Sequence, residues 1–316
     1  MQIEKLEEHV RPLDYHPVRL KAMGQHFEVR FGTTDAIVHT RKLDAEHYVV
    51  IETGEVKKYR HTRTRAESVT NVKQSMARLR DIIRANVDKP YRCRWITLTY
   101  QINQRDPAQL YQDYRKFNQR FKRYLKRNHN IEEVEWIAIV EPQARGSFHM
   151  HIIYIFPQKA PYIKNDDFAK IWGHGFTKFK ALNSSDDVAL YLTAYLCDLP
   201  LDEALKNGTK LSDIKSHDLK AVKVGKKTKA FIKGGRLDFY PKGMRIYRKS
   251  RGIKKPDIRK ITEREAQEIL AFVNADLTFE KTIVLKDSAD KTCVIYNYRH
   301  YRAGAYNKEI ENRMAL

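Results

Sequence analysis

VEWIAIVEPQARGSFHMHIIYIF, Val134–Phe156, is the stretch whose reading decides the fold. Val134–Val140 and Phe148–Phe156 are β-branched and aromatic runs of strand length, and the residues between them, Pro142-Gln143-Ala144-Arg145-Gly146-Ser147, read as a hairpin loop. So short a connection predicts an antiparallel pair. In the second strand His149 and His151 are two apart and share one face, while Met150 points to the other. Glu141 ends the first strand, and the hairpin folds it back beside the two histidines.

Upstream, Trp95–Tyr100, WITLTY, suits a buried strand. A helix follows, with Asp106 as cap, Pro107 in its first position, and Leu110, Tyr114, Phe117, Phe121, Tyr124 and Leu125 on one face. Downstream come a short helix near Asp166–Trp172, a strand in GFTKFKAL after it, and a helix from about Asp187 to Leu199, capped by Ser184 or Ser185 and stopped by Pro200. This order predicts an α+β fold, a central antiparallel β-sheet with helices packed on it.

Residues 27–60 suggest a small β element, with HYVVIETGEVKKYRH forming two strands around Thr53-Gly54. Val72, Met76, Leu79, Ile82 and Ile83 recur at helical spacing between Glu67 and Val87. RLDFYPKGMRIYRK, Arg236–Lys249, reads as a strand or strand pair with Gly243 at its turn. Thr262-x-x-Glu265 is a capping-box pattern, and Thr292–Tyr298 is a last strand-like run. The expected organisation is a basic β-containing extension over 1–66, a core over 67–200, a basic segment over 201–260 completing or flanking it, and a C-terminal α/β extension over 261–316.

In 316 residues, 42% apolar, 60 Lys and Arg face 39 Asp and Glu, a formal charge of +21. A positive field of that size attracts polyanions, and nucleic acid is the leading partner. Cys93, Cys197 and Cys293 are far apart and form no C-x-x-C, so neither a zinc ribbon nor a disulfide framework is indicated. The N-terminus is charged from its fourth residue, and no segment is apolar for eighteen residues; a cytoplasmic protein with no membrane partner is expected. No G-x-x-x-x-G-K-[ST] occurs, so unwinding would fall to a separate host helicase, beside a host polymerase.

Two imidazoles and one carboxylate leave positions open for water and a phosphate oxygen, a donor set suited to Mg²⁺ or Mn²⁺ in phosphoryl transfer; zinc is compatible with it too. A nucleophile is then needed. Tyr191 and Tyr195, four apart, share one face of the helix expected over 187–199. The same stripe, with Val188, Leu192 and Leu199, also reads as the buried side of an amphipathic helix. Gly173-His174-Gly175 reads as a helix stop with a surface histidine near Trp172.

WITLTY, EPQARGSFHMHIIY and VALYLTAYL, in that order, resemble the three motifs of HUH-type rolling-circle replication initiators, closest to those of plasmids and filamentous phages. IWGHGFTKF and RLDFYPKGMRIYRKSRGIKKP extend the likeness to about Met76–Pro256. The resemblance implies a HUH endonuclease core with a ferredoxin- or RRM-like central sheet, and a metal held by Glu141, His149 and His151. It further implies attack by Tyr191 on a single-stranded or stem-loop origin to give a 5′-phosphotyrosine and a free 3′-OH, with Tyr195 serving a second, strand-closing transfer. Members with paired tyrosines usually carry lysines where this chain has Ala194 and Asp198. Lys178, Lys180 and Lys233 are candidates to replace that charge. Arg145 and the run Lys242, Arg245, Arg248, Lys249, Arg251, Lys254 and Lys255 are the expected DNA contacts. A non-catalytic nucleic-acid-binding protein on the same scaffold, or a related transposase or relaxase, are the competing readings.

Overall fold

The computed structural model describes residues 4–6, 10–33, 40–59, 66–182, 196–224, 227–241, 243–286 and 292–304. The chain divides into two compact units, Met1–His61 with Lys255–Leu316, and Thr62–Lys254. The first begins with β1 (Glu4–Leu6), β2 (Pro17–Met23) and β3 (His26–Gly32), the last two joined by a tight turn in which Gly24 takes a positive φ. A separate meander follows, β4 (Thr40–Lys42), β5 (His47–Val50) and β6 (Val56–Lys58). Its second turn uses Gly54 at φ 70°, as the Thr53-Gly54 signal predicts.

The second unit opens with α1 (Val69–Asn86), β7 (Cys93–Thr99) and α2 (Pro107–His129). Asp106 caps α2 by accepting from Ala108 N at 2.8 Å, and Asn130 closes it in the left-handed conformation. Then come β8 (Glu135–Pro142), β9 (Phe148–Ile155), α3 (Asn165–Trp172) and β10 (Thr177–Ala181). Beyond Leu196 lie β11 (Leu199–Pro200), α4 (Leu201–Lys206), β12 (Leu219–Val224), β13 (Lys227–Ile232) and β14 (Tyr247–Lys249). The fold is α+β: a five-stranded antiparallel sheet runs β10-β7-β9-β8-β14, and β11-β13-β12 form a smaller one.

Side chains alternate across β9, which gives the sheet two distinct faces. On the face of Met150 and Tyr154, α2 packs its apolar stripe: Phe121 lies 4.9 Å from the Tyr154 ring, and Tyr154 Oη donates to Asn118 Oδ1 at 2.7 Å. α3 ends at Gly173, φ 74°, the expected helix stop. Gly175 is required for another reason, because a Cβ there would sit 2.6 Å from the Thr99 carbonyl.

Two local expectations fail. The helix anticipated through Leu199 is not helical over Leu196–Asp198, and Leu199 instead pairs with Ile232; its earlier part, with Tyr191 and Tyr195, lies outside the described residues. Arg236–Lys249 is not a strand pair. It makes a 3₁₀ turn at Leu237–Phe239 and only Tyr247–Lys249 joins the sheet, because Arg236, Tyr240, Met244 and Ile246 turn inward as a plug and abandon alternation.

The chain then returns to the first unit with β15 (Asp257–Thr262), α5 (Glu263–Phe272), β16 (Ala275–Lys286) and β17 (Thr292–Ala303). Segments 1–66 and 261–316, separate in sequence, thus share one sheet, β1-β16-β17-β3-β2-β15. Thr262 and Glu265 form the capping box that starts α5. Ala266, Leu270 and Val273 of this helix cover Val18, Leu20, Phe27, Val29 and Tyr301 on one face of the sheet.

On the opposite face Glu28 is buried, with Lys21 Nζ at 2.9 Å and Arg30 Nη2 at 2.8 Å. Burial pushes its pKa up, but the hydrogen bonds and charges of Lys21 and Arg30 outweigh it and hold the carboxyl at about 2. A depressed folded pKa contributes stability that is complete above the unfolded value of 4.5 and is lost as pH falls towards 2. This contribution is on the order of 3 kcal/mol. Urea unfolding between about pH 6 and pH 2 is expected to show this loss for wild type. In Glu28→Gln the slope should flatten; an unaltered slope would remove Glu28 as its cause.

Candidate metal centre

The β8–β9 hairpin builds the site from local register. Glu141 is directly opposite His149, and Thr97 on β7 is opposite His151, so all four side chains share the sheet face away from α2. The loop is held by Gln143 N donating to Ser147 O at 2.8 Å and Gly146 N to Gln143 O at 2.8 Å, with Gly146 at φ 81°. Glu141 Oε2 lies 2.7 Å from His151 Nε2 and 3.5 Å from His149 Nε2. His151 Nδ1 is 3.1 Å from Thr97 Oγ1, and its ring stacks on Trp95 at 4.8 Å. These contacts fix the ring and turn Nε2 towards the carboxylate.

One donor atom from each of Glu141, His149 and His151 lies within 4.8 Å of the others. His149 Nε2 is buried without a hydrogen-bond partner, an orphan that a cation would satisfy. The group fits a divalent metal ion, so the spacing read from sequence does bring the three residues together. Burial pushes the Glu141 pKa up, but hydrogen bonds from both imidazoles outweigh it and hold the carboxyl below its usual range. Burial also lowers the His151 pKa, aided by the charges of His149 and Arg236 against the pull of Glu141. An ionised carboxylate beside a neutral imidazole is the state that binds a cation.

Arg236 is the residue that sequence reasoning missed. Only 5% exposed, it sends Nη2 to Glu141 Oε1 at 3.0 Å, Nη1 to the Pro142 carbonyl and Nε to the Asp198 carbonyl at 2.8 Å. It therefore holds one carboxylate oxygen and leaves the other facing the imidazoles. Its backbone N also donates to Cys197 O at 3.0 Å, which ties down the chain just past Tyr195. Asp198, at a position where related motifs carry lysine, accepts from Gly234 N at 2.7 Å and pairs with Lys220. The lysines considered from sequence lie elsewhere: Lys178 is exposed opposite Thr97, Lys180 exposed opposite Trp95, and Lys233 is exposed beyond β13. No local signal marked Arg236, because the Asp198 and Pro142 carbonyls it binds are 38 and 94 residues away in sequence.

A cavity of about 290 Å³ opens beside the group, lined by Glu141, Gln143, Arg145, His149, Glu203 and Arg236 among others. Arg145 is held in that wall by Gln143 Oε1 at 3.1 Å and the Tyr100 carbonyl at 3.0 Å. The other expected DNA contacts do not line it. Arg248 stacks over Tyr111 at 3.4 Å, Lys249 Nζ donates to Ile253 O at 2.9 Å, and Arg245, Arg251 and Lys254 are exposed. Lys255 is exposed in the other unit, and Lys242 lies outside the described residues. His174 stands 3.7 Å from Asp113, outside the metal group.

Nearby thiols and phenols are unsuited to attack. Burial, reinforced by Asp198, pushes the Cys197 thiol up to about 12, and burial raises the Tyr240 phenol, whose Oη donates to Val140 O at 2.8 Å. Among the described residues no helix is long and apolar enough to cross a membrane.

Residues 93–199 match the model of a protein family described as the replication-associated protein ORF2 type. The match covers about a third of the chain, running from β7 through the metal hairpin to β11, and supports reading it as a replication initiator. No curated protein and no solved structure matches the chain.

Proposed function

We propose that the protein is a HUH-type nickase that starts rolling-circle replication by cutting and rejoining a single-stranded origin. The observation that carries this reading is the Glu141, His149 and His151 group on one hairpin, inside the segment matched to replication-associated proteins. Bound there, Mg²⁺ or Mn²⁺ would supply Lewis-acid polarisation of the scissile phosphate. Glu141 offers Oε2, with Oε1 held by Arg236, while Thr97 and Trp95 fix the His151 ring. Arg145 and Arg236 give the adjoining cavity the positive charge to receive a phosphodiester.

Tyr191 is the proposed nucleophile: its oxygen bonds to phosphorus, the P–O3′ bond breaks, and the product is a 5′-phosphotyrosine with a free 3′-OH for a host polymerase. Tyr195 then serves the transfer that closes the strand. The anchoring of Leu196–Asp198 through Arg236 supports a position for this segment near the metal group. With Mn²⁺ and origin oligonucleotides, wild-type protein should form a covalent adduct on a denaturing gel, and EDTA should prevent it. Absence of adduct on either strand of the native replicon defeats the reading.

A further inference from the structure

The six-stranded sheet of the first unit is covered by α5 on one face only, and its other face carries an unusual cross-strand row. Lys260 on β15 is opposite Arg19 on β2, Arg19 opposite Arg30 on β3, Arg30 opposite Tyr298 on β17, and Tyr298 opposite Lys281 on β16. At about 4.8 Å per strand, the row spans roughly 19 Å. Like charges directly opposite one another destabilise a sheet, and a merely solvated face alternates its signs. Here two consecutive pairs are cation against cation. In the next row, Ile258, Lys21, Glu28, His300 and Phe279, the acid Glu28 is already bound to Lys21 and Arg30.

Aromatic rings are set among these cations. The Arg30 guanidinium lies 5.2 Å over the Tyr298 ring, and Phe279 is 6.0 Å from Tyr298. Phe279 is 51% exposed and Tyr296, on the same face, 43%. Cations in a line with open aromatic faces beside them match the chemistry of an unpaired nucleic-acid strand, whose phosphates need charge and whose bases need a surface to stack on. A duplex hides its base faces and uses only the charge.

We propose that this face is a second binding site, separate in residues from the metal group, that grips single-stranded DNA. The identity of the polyanion as DNA rests on the replication reading. The site gives the first unit, which lies outside the matched segment, a role in holding the strand on which the hairpin acts.

The test uses the full chain and a fluorescent single-stranded oligonucleotide of non-origin sequence, with affinity measured by anisotropy over a salt series. Arg19→Gln/Lys260→Gln/Lys281→Gln should lower the slope of log affinity against log salt by about 2, three contacts at roughly 0.7 each. Phe279→Ala should weaken binding by roughly 5- to 100-fold, with less effect on a duplex of the same sequence. Because the triple variant removes like-charge repulsion, its melting temperature should equal or exceed that of wild type. Unchanged affinity and slope in both variants overturn the proposal. So does a loss confined to phosphatidylserine vesicles, which would make the face a membrane contact. Adduct formation by wild type judges the nickase reading separately: binding variants without any adduct would sink that reading and leave this site standing.

Discussion

Tyr191→Phe is expected to abolish the covalent DNA adduct while leaving Mn²⁺ affinity unchanged, whereas His151→Ala should lose both. The two halves of the proposed chemistry come apart here because they are held differently. The metal group is built into neighbouring strands, where His151 is fixed by Thr97 and Trp95 and shares Glu141 with His149. Removing its imidazole leaves Glu141 Oε2 with a single nitrogen at 3.5 Å. Loss of Lewis-acid stabilisation, several kcal/mol, corresponds to nicking slower by on the order of 10³-fold. Removing the phenol oxygen of Tyr191 takes away the bonding atom itself and touches no ligand, so calorimetric Mn²⁺ binding should be as in wild type. Retained adduct in Tyr191→Phe would hand first attack to Tyr195. Full activity in His151→Ala would mean that the hairpin group is not the metal centre.

What could be read in the sequence was what depends on neighbours along the chain. The period of β9 put His149 and His151 on one face, and the short loop made Glu141 their partner; the structure sets Glu141 and His149 directly opposite. Asp106, Pro107, Thr262 and Glu265 mark helix starts by bonds within one turn. Arg236 was silent because its meaning lies in carbonyls and a carboxylate brought from other segments. The plug after it mimics a strand, since residues buried against irregular backbone need no period. The cation row was silent for the same reason. It exists only once β15, β2, β3, β17 and β16 are in register, and they come from opposite ends of the chain.

Arg236→Met should be among the most destabilising substitutions in the protein, and the loss should shrink when Mn²⁺ is present. The guanidinium is buried and has the Glu141 carboxylate and the Pro142 and Asp198 carbonyls as partners. Deleting one side of a buried ion pair costs roughly 3–5 kcal/mol, because the other charge stays behind uncompensated. For a unit of this size that is roughly 6–20 °C in Tm. A divalent ion beside Glu141 supplies the missing positive charge, so Mn²⁺ should raise the Tm of Arg236→Met by more than it raises that of wild type. Glu141→Gln placed in the Arg236→Met background should recover part of the loss, since it removes the orphaned charge. Arg236→Lys keeps charge but not the fork that reaches both carbonyls, and belongs between the two. If Arg236 only fills space, its loss will be the same with and without Mn²⁺, and the Glu141→Gln effect will simply add. Coupling between the two positions is what distinguishes an arginine that orients the carboxylate from one that merely packs beneath it.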